Sequence, residues 1–366
     1  MKLLFLTVMP SPYQRQLFRA IDALPDIDLS VLYFTAGAHD REWKRPDLYP
    51  FEQVLPGRTL TWLGPSAHWN PAVMDRIATI DPDLVVVSDY SALTAQLAMR
   101  RLRRRRTPFL FWGEVPGFSN RGRVGRSIRA ILQAPLDHAA GIVGIGSVAA
   151  DAYRHLVPGK PVFNIPYFCD LAPYRAARQT AGANRTSVDI LFSGQLIARK
   201  GLDVLIRAFN EIAPAHPAAR LRVLGAGPGR QMYESMVAEA VRDRVIFMGH
   251  QDPADLPAIF ATADIFCLPS RHDGWGVVVN EALGAGLPIV ASSATGAAHD
   301  LVTEGTNGFI TPTDDVAALT DALRRLVADD RLRHRMAQAS LDAAGRWGVE
   351  EGARRWQDVA TRTLSA

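Results

Sequence analysis

Only two cysteines occur in 366 residues, Cys169 and Cys267. They lie far apart among apolar neighbours, which excludes a disulfide framework and the paired spacing of a zinc site; a reducing compartment is expected. No stretch approaches the roughly 20 apolar residues needed to cross a bilayer. The apolar run 3–8 after Met1-Lys2 stops at Pro10-Ser11-Pro12, too short for the core and cleavage site of a secretory signal, and reads as a first buried strand. A cytoplasmic chain with no integral membrane segment is expected. No recognisable RNA- or DNA-binding motif accompanies the basic residues, so no nucleic-acid partner is expected.

What is present is a composition able to bury full cores, 48% hydrophobic and 21% charged, in a chain whose length suits two domains of roughly 150–200 residues. The net charge of +4 is unevenly placed. Residues 1–170 hold 20 Lys/Arg against 15 Asp/Glu, and residues 171–366 hold 21 against 22. Arg100, Arg101 and Arg103 to Arg106 end one expected helix. Arg121, Arg123, Arg126 and Arg129 flank Val124, Ile128, Ile131 and Leu132 at helical spacing in another. Each segment alone reads as a solvated helix end. Together they raise reversible docking on an anionic membrane surface, at about 1 kcal/mol per cation.

Strand-like and helix-like runs alternate almost throughout, the pattern of parallel sheets covered on both faces by helices. Strands are expected at 3–8, 29–34, 84–88, 109–112, 142–145 and 162–165, with an irregular region at 35–70 that includes Trp43, Trp62 and Trp69. The small and polar run 172–187 reads as a linker. A second series has strands at 188–193, 221–224, 245–248, 265–268, 288–291 and 308–310. The expected architecture is α/β: two Rossmann-like doubly wound domains, 1–171 and 188–349, with ligands at the carboxyl ends of the strands.

Three segments carry chemistry. In the first, Phe192-Ser193-Gly194-Gln195-Leu196-Ile197-Ala198-Arg199-Lys200-Gly201, two cations stand between a strand and a helix, where guanidinium, ammonium and helix-terminal N–H groups could converge on a diphosphate. In the second, Gly225-Ala226-Gly227-Pro228-Gly229 resembles a dinucleotide fingerprint but has Arg230 in place of the third glycine, and no acid ends the next strand. It reads as a tight turn and speaks against a nicotinamide dehydrogenase. In the third, Asp273-Gly274-Trp275-Gly276 is followed by Glu281, eight residues after Asp273. Paired carboxylates suit the vicinal diols of a ribose and a hexose, and Gly274 and Gly276 let backbone approach a ligand closely. The plainer readings are a turn aspartate and a helix-start glutamate.

These segments resemble the retaining family-4 glycosyltransferases of the GT-B fold, with a likeness that runs end to end and is more specific in the C-terminal half. The resemblance implies that Arg199 and Lys200 neutralise the diphosphate of a nucleotide-sugar donor, a UDP- or GDP-hexose, and that Glu281 holds its ribose. It implies that Asp273 holds the sugar hydroxyls, with Gly274, Trp275 and Gly276 lending backbone N–H groups. Asp273 is shorter than the family's usual Glu, and Gln195 stands after Gly194 where many members carry arginine. Gly249 and His250 correspond to the region that meets the base. In the N-terminal half the first loop lacks the family's glycine pair, which leaves Ser11 to shape the turn and Tyr13 or Arg15 as acceptor-side candidates. Glu114 stands near the position where many members place a His, as a candidate acceptor ligand or base. A salt-bridged loop residue is its plainer reading.

The family mechanism implied is metal-free front-side transfer, the nucleotide sugar being a co-substrate rather than a cofactor, with a C-terminal helix, about 350–366, packing back on the first domain. A glycan or lipid-linked acceptor in cell-envelope or exopolysaccharide synthesis, and peripheral placement at the inner membrane face, are the expected setting. A sugar-nucleotide epimerase and a non-catalytic sugar-nucleotide-binding protein are the alternatives.

Overall fold

Runs such as Leu3-Leu4-Phe5-Leu6 and Leu84-Val85-Val86-Val87 are apolar on both faces, and all eight side chains are buried, as strands covered on both sides by helices must be. The computed structural model describes residues 1–37, 47–62, 67–116, 122–181 and 186–366. Trp43, Arg121 and the stretch 182–185 lie outside the described residues, as do the side chains of Arg123, Val124 and Arg126. Two compact units result, Met1–Tyr167 with Val349–Ala366, and Phe168–Gly348.

The first unit runs β1 Lys2–Thr7, α1 Pro12–Asp22, β2 Asp28–Tyr33, β3 Glu52–Val54, β4 Arg58–Thr59, β5 His68–Trp69, α2 Val73–Ile80, β6 Leu84–Val87, α3 Leu93–Arg105, β7 Phe109–Gly113, α4 Gly122–Gln133, β8 Gly141–Gly144, α5 Ser147–Leu156 and β9 Val162–Asn164. The second runs α6 Ala172–Thr180, β10 Val188–Ser193, α7 Leu202–Ile212, β11 Ala219–Leu224, α8 Arg230–Met236, β12 Val245–Gly249, α9 Leu256–Ala261, β13 Ile265–Leu268, α10 Val278–Gly284, β14 Ile289–Ser292, α11 Gly296–Leu301, β15 Gly308–Thr311, α12 Val316–Ala328 and α13 Asp330–Ala344. The chain ends with α14 Val349–Leu364, which belongs to the first unit.

Both large sheets are parallel. Their orders are β3-β2-β1-β6-β7-β8-β9 and β12-β11-β10-β13-β14-β15. In each, the strand order reverses beside the first strand, between β1 and β6 and between β10 and β13. Loops leaving the carboxyl ends of such a pair diverge to opposite faces and leave a crevice, the place where ligands bind in doubly wound sheets.

Residues 172–180 of the segment expected as a linker form a helix. Residues such as Ala172, Ala176 and Ala177 read as small and flexible, but alanine is the strongest helix former and Pro173 occupies the first turn, where it is tolerated. The Asp170 carboxylate accepts a hydrogen bond from the Ala172 N–H at 3.0 Å. Tyr174 packs edge-on to Phe260 with centroids 5.5 Å apart, and Arg178 donates to the carbonyls of Ala261 and Ala263 at 2.9 Å each. This correction moves the boundary to Tyr167/Phe168 and gives α6 to the second unit.

The C-terminal helix α14 packs on α1. Trp356 is fully buried, its ring edge-on to Phe5 at 5.0 Å and to Trp112 at 5.2 Å, while the Trp112 indole N–H donates to the Ile165 carbonyl at 2.9 Å. Trp356→Ala is expected to destabilise the first unit by about 3–5 kcal/mol through the cavity it opens, read as a lower urea midpoint. A change below about 1 kcal/mol would show that α14 is not part of this core.

Candidate functional site

At the crevice of the second sheet the loops after β10 and β13 are tied together through backbone. Gly201 has φ +67°, and a Cβ there would lie 2.0 Å from the Pro269 carbonyl oxygen. The Arg271 N–H donates to the Arg199 carbonyl at 2.8 Å. The Arg271 guanidinium grips both oxygens of Asp203 at 2.8 and 2.7 Å, and Asp314 at 2.6 Å; the bond to Asp203, despite some burial, pushes its pKa up. Sequence reasoning missed this clamp, whose partners are separated by dozens of residues.

The clamp delivers Arg199 and Lys200 to Asp273. The Lys200 ammonium pairs directly with Asp273 Oδ2, in side chains only 12% and 11% exposed. Arg199 stands 3.8 Å from Oδ1, more open to solvent, and donates to the His272 carbonyl at 3.0 Å. Burial, reinforced by Arg199, lowers the His272 pKa. The Lys200 stem passes beside Gly194, where a Cβ would meet it in ordinary contact at 3.6 Å. Gly225, at φ +131°, is also sterically required, because a Cβ there would sit 2.0 Å from the Gly194 oxygen. Glycines 225, 227 and 229 thus seat one loop against another, in keeping with a tight turn.

The segment after Asp273 is folded onto the start of α11. Gly296 N–H donates to the Asp273 carbonyl at 3.0 Å and Ala297 N–H to the Trp275 carbonyl at 2.8 Å, while a Cβ on Gly296 would come within 2.3 Å of the Gly274 oxygen. Gly276 has φ +89° beside the Asp273 carboxylate. The Trp275 side chain is a core group, its indole N–H donating to buried Asn280 at 2.8 Å. Gly249 ends β12 with φ +72°, its carbonyl accepting from the Gly225 N–H at 2.9 Å, and His250 is exposed.

Glu281 lies in the first turn of α10, half-buried, with its Oε2 out of contact with solvent and without a hydrogen-bond partner among the described residues. Burial raises its pKa to about 7, against the opposing effect of the Tyr174 hydroxyl. The same surroundings hold Cys169, whose thiol is pushed well up by burial and by Glu281.

In the first unit Ser11 is buried before α1 and its hydroxyl donates to Gln14 at 2.7 Å. The Tyr13 and Tyr167 rings are 4.8 Å apart. The Arg15 guanidinium has partners within the first unit. It is held by the buried Glu52 at 2.7 to 3.0 Å, by the Asp47 carbonyl at 2.6 Å and over the Tyr49 ring at 4.6 Å, a lock on β3 that the local sequence concealed. Glu114 follows β7 and is exposed, with its carbonyl accepting from the Tyr153 hydroxyl at 3.0 Å. Sequence reasoning passed over Asp89, just past β6, whose Oδ1 accepts from the Ser91 N–H and hydroxyl at 2.7 and 2.6 Å and whose pKa burial raises against those bonds. Burial raises the pKa of the Tyr153 hydroxyl, and Tyr90, Glu114 and Asp89 raise it further.

Residues 174–342 match the family model described as Glycosyl transferases group 1. The chain is 32% identical over 301 residues to a phosphatidyl-myo-inositol mannosyltransferase of Mycobacterium leprae, covering 81% of this chain and 77% of that one. It is 33% identical over 198 residues to a D-inositol 3-phosphate glycosyltransferase of Corynebacterium aurimucosum, covering 52% and 47% of the two chains. For a protein of the same name from Xylanimonas cellulosilytica the values are 29% over 272 residues, 71% and 64%, so the chain spans about half to two thirds of the length of those two relatives. Among solved structures it matches sucrose-phosphate synthase of Thermosynechococcus elongatus at TM-score 0.79 and 18% identity over the whole of both chains. It matches Anabaena HepE in complex with UDP at TM-score 0.75 and 19% identity, over 99% and 100%. The paired parallel sheets are therefore those of the GT-B fold, and by its likeness to most of the length of the M. leprae mannosyltransferase the chain belongs to the glycosyl transferases group 1.

Proposed function

We propose that the chain transfers a hexose from a UDP- or GDP-sugar to a hydroxyl of a glycan or lipid-linked acceptor, with retention and without a metal. The carrying observation is the Lys200–Asp273 pair, flanked by Arg199, at the crevice between β10 and β13. A buried, mutually neutralised cation and carboxylate can separate onto a ligand that offers both a diphosphate and hydroxyl groups: Lys200 turns to the phosphate and Asp273 to the sugar. Arg199 and Lys200 then stabilise the charge that grows on the leaving phosphate, where electrostatic catalysis acts most strongly. Gly274 and Gly276 line the sugar through backbone, Glu281 takes the ribose hydroxyls, and Gly249 and His250 border the base.

The acceptor is assigned to the first unit. Glu114 and Asp89 offer hydroxyl-accepting oxygens at the carboxyl ends of their strands, with Ser11 capping α1 and Tyr13 in its first turn. In the reaction the acceptor oxygen bonds to the anomeric carbon as the bond from that carbon to the phosphate oxygen breaks, and the hydroxyl proton passes to the departing phosphate, with Glu114 ordering the acceptor. The M. leprae relative's name carries a phosphatidylinositol and a mannosyl group, another relative is named GDP-mannose-dependent, and HepE was solved with UDP. These names support a nucleotide-sugar donor and a lipid-linked acceptor of the kind used in envelope or polysaccharide assembly. Ile128 and Ile131 are 52% and 66% exposed on α4, and Arg100 with Arg103 to Arg106 are exposed at the end of α3, which supports peripheral contact with anionic lipid. No helix among the described residues is long and apolar enough to cross a membrane.

A thermal-shift panel of UDP-, GDP- and ADP-sugars should reveal one that raises the melting temperature, since a donor at a hundred times its Kd adds about 2.7 kcal/mol; a flat panel would refute the donor assignment. Lys200→Ala is expected to lower kcat by about 10²–10³, and Glu281→Ala to raise donor KM about tenfold or more, each with an unchanged circular dichroism spectrum. Near-normal transfer in both variants would remove these residues from the site. Sedimentation with phosphatidylglycerol vesicles should be strong at 20 mM salt and weak at 500 mM, whereas no binding at low salt would eliminate the membrane contact.

A further inference from the structure

Three glycines stand at the carboxyl ends of neighbouring strands: Gly194 after β10, Gly225 after β11 and Gly249 closing β12. Their backbones meet one after another across the sheet. A Cβ on Gly225 would lie 2.0 Å from the Gly194 oxygen, and the Gly225 N–H donates to the Gly249 carbonyl at 2.9 Å. The result is a strip of bare backbone that crosses three strands, about 10 Å at the usual strand spacing. A cation stands at each end. The Lys200 stem lies 3.6 Å from the place a Gly194 Cβ would take, and Arg230 Nη1 lies 3.9 Å from the place a Gly249 Cβ would take. Apart from the adjoining residues, no other heavy atom among the described residues comes within 4 Å of that second point.

Arg230 opens α8, and two neighbours hold its guanidinium. Nε donates to Glu234 Oε1 at 2.7 Å, and the guanidinium carbon is 6.0 Å from the centroid of the Phe247 ring on β12. The Arg230 and Glu234 side chains are open to solvent, 50% and 42% exposed. An exposed ion pair four residues apart on a helix adds little stability. Glu234 orients the guanidinium without using its terminal nitrogens, which have no hydrogen-bond partner among the described residues.

We propose that Arg230 selects the donor's nucleobase by donating to a ring carbonyl, so that the chain takes a base with a keto group at that edge, uracil or guanine, over one with an amino group, cytosine or adenine. The inference rests on the reading of Lys200 as a diphosphate ligand and of Gly249 as a neighbour of the base, and adds the side chain that reads the base. A nucleoside diphosphate laid along the glycine strip meets an ammonium at its phosphate end and a guanidinium at its base end, with no side chain of the three glycines in its way. Guanidinium nitrogens only donate, so a keto oxygen satisfies them and an amino group sets donor against donor. The Glu234 carboxylate only accepts, which suits the ring N–H beside the keto group in uracil and guanine and opposes the ring nitrogen lone pair beside the amino group in cytosine and adenine. Arg230 is also the residue that replaces the third glycine of the dinucleotide fingerprint, and the departure from that motif supplies the base reader.

Calorimetric titration at pH 7.5 tests this with UDP against CDP and inosine diphosphate against ADP, each pair differing only in the keto or amino group and the ring nitrogen beside it. In whichever pair binds, the keto member should bind the wild-type chain about tenfold more tightly. Arg230→Met, at an exposed helix position where methionine is a good helix former, should bring that ratio to about one and leave the melting temperature of the ligand-free protein unchanged. Inorganic pyrophosphate has no base and separates the two ends of the strip. At about 150 mM salt, where exposed charges are screened beyond about 8 Å, its affinity should be the same for Arg230→Met as for wild type and about tenfold or more weaker for Lys200→Ala. Equal binding of keto and amino members by the wild-type chain, a wild-type ratio kept in Arg230→Met, or a loss of pyrophosphate binding in that variant to match Lys200→Ala would each overturn the role of Arg230 while leaving the donor site standing. Failure of the wild-type chain to bind any of the four nucleotides would remove the donor-site reading and this inference with it.

Discussion

Two loops meet at the carboxyl edge of the second sheet because Gly201 has no side chain. Its left-handed φ of +67° and its close approach to the Pro269 carbonyl let the chain after β10 press directly on the chain after β13, and any Cβ would drive them apart. That contact sets the distance across which Lys200 and Asp273 pair. Arg271, gripping Asp203 and Asp314, then fixes the second loop to α7 and to the segment after β15. The site is thus held by backbone approach and by a clamp of opposite charges that uses neither Lys200 nor Asp273, so the Lys200–Asp273 pair can exchange partners without dismantling its frame.

Much of the architecture is legible in the sequence because parallel strands advertise themselves. A strand buried on both faces has no polar alternation to blur it, and Leu84-Val85-Val86-Val87 or Ile265-Phe266-Cys267-Leu268 has few competing readings. The same logic fails at α6. A nine-residue helix rich in alanine carries little apolar periodicity, and its commitment comes from tertiary contacts, Tyr174 on Phe260 and Arg178 on two carbonyls, which no local window contains. The short strands β3, β4 and β5 are likewise made by partners rather than by their own sequence.

The candidate site divides along the same line. Arg199, Lys200, Asp273 and the nearby glycines lie in two short stretches, so their spacing could be read, and the structure brings the two cations to the carboxylate. What the spacing could not supply is pairing. Arg15 looked available because its partner, Glu52, is 37 residues away and buried, and Asp89 went unnoticed because an aspartate beside Ser91 is an ordinary turn until its carboxyl proves to be buried. Trp275 shows a division of labour: its side chain is spent on Asn280, and the ligand role that the resemblance implies for it belongs to its backbone N–H.

Glu281 shows why a pairing invisible in sequence matters energetically. An ordinary glutamate titrates near 4.3 in an unfolded chain, whereas burial holds this one near 7, so between those values the folded state binds more protons than the unfolded one. The sign follows from linkage: the contribution is intact below the unfolded value, is lost as pH rises, and is fully lost once pH has passed the folded value. At neutral pH the ligand-free protein thus bears a cost at α10 that an apolar residue would avoid. A ligand that donates hydrogen bonds to the carboxylate would relieve that cost. The destabilisation and the affinity would then share one origin, a carboxyl group buried with one oxygen unpartnered, and a substitution that cured the first would be expected to weaken the second.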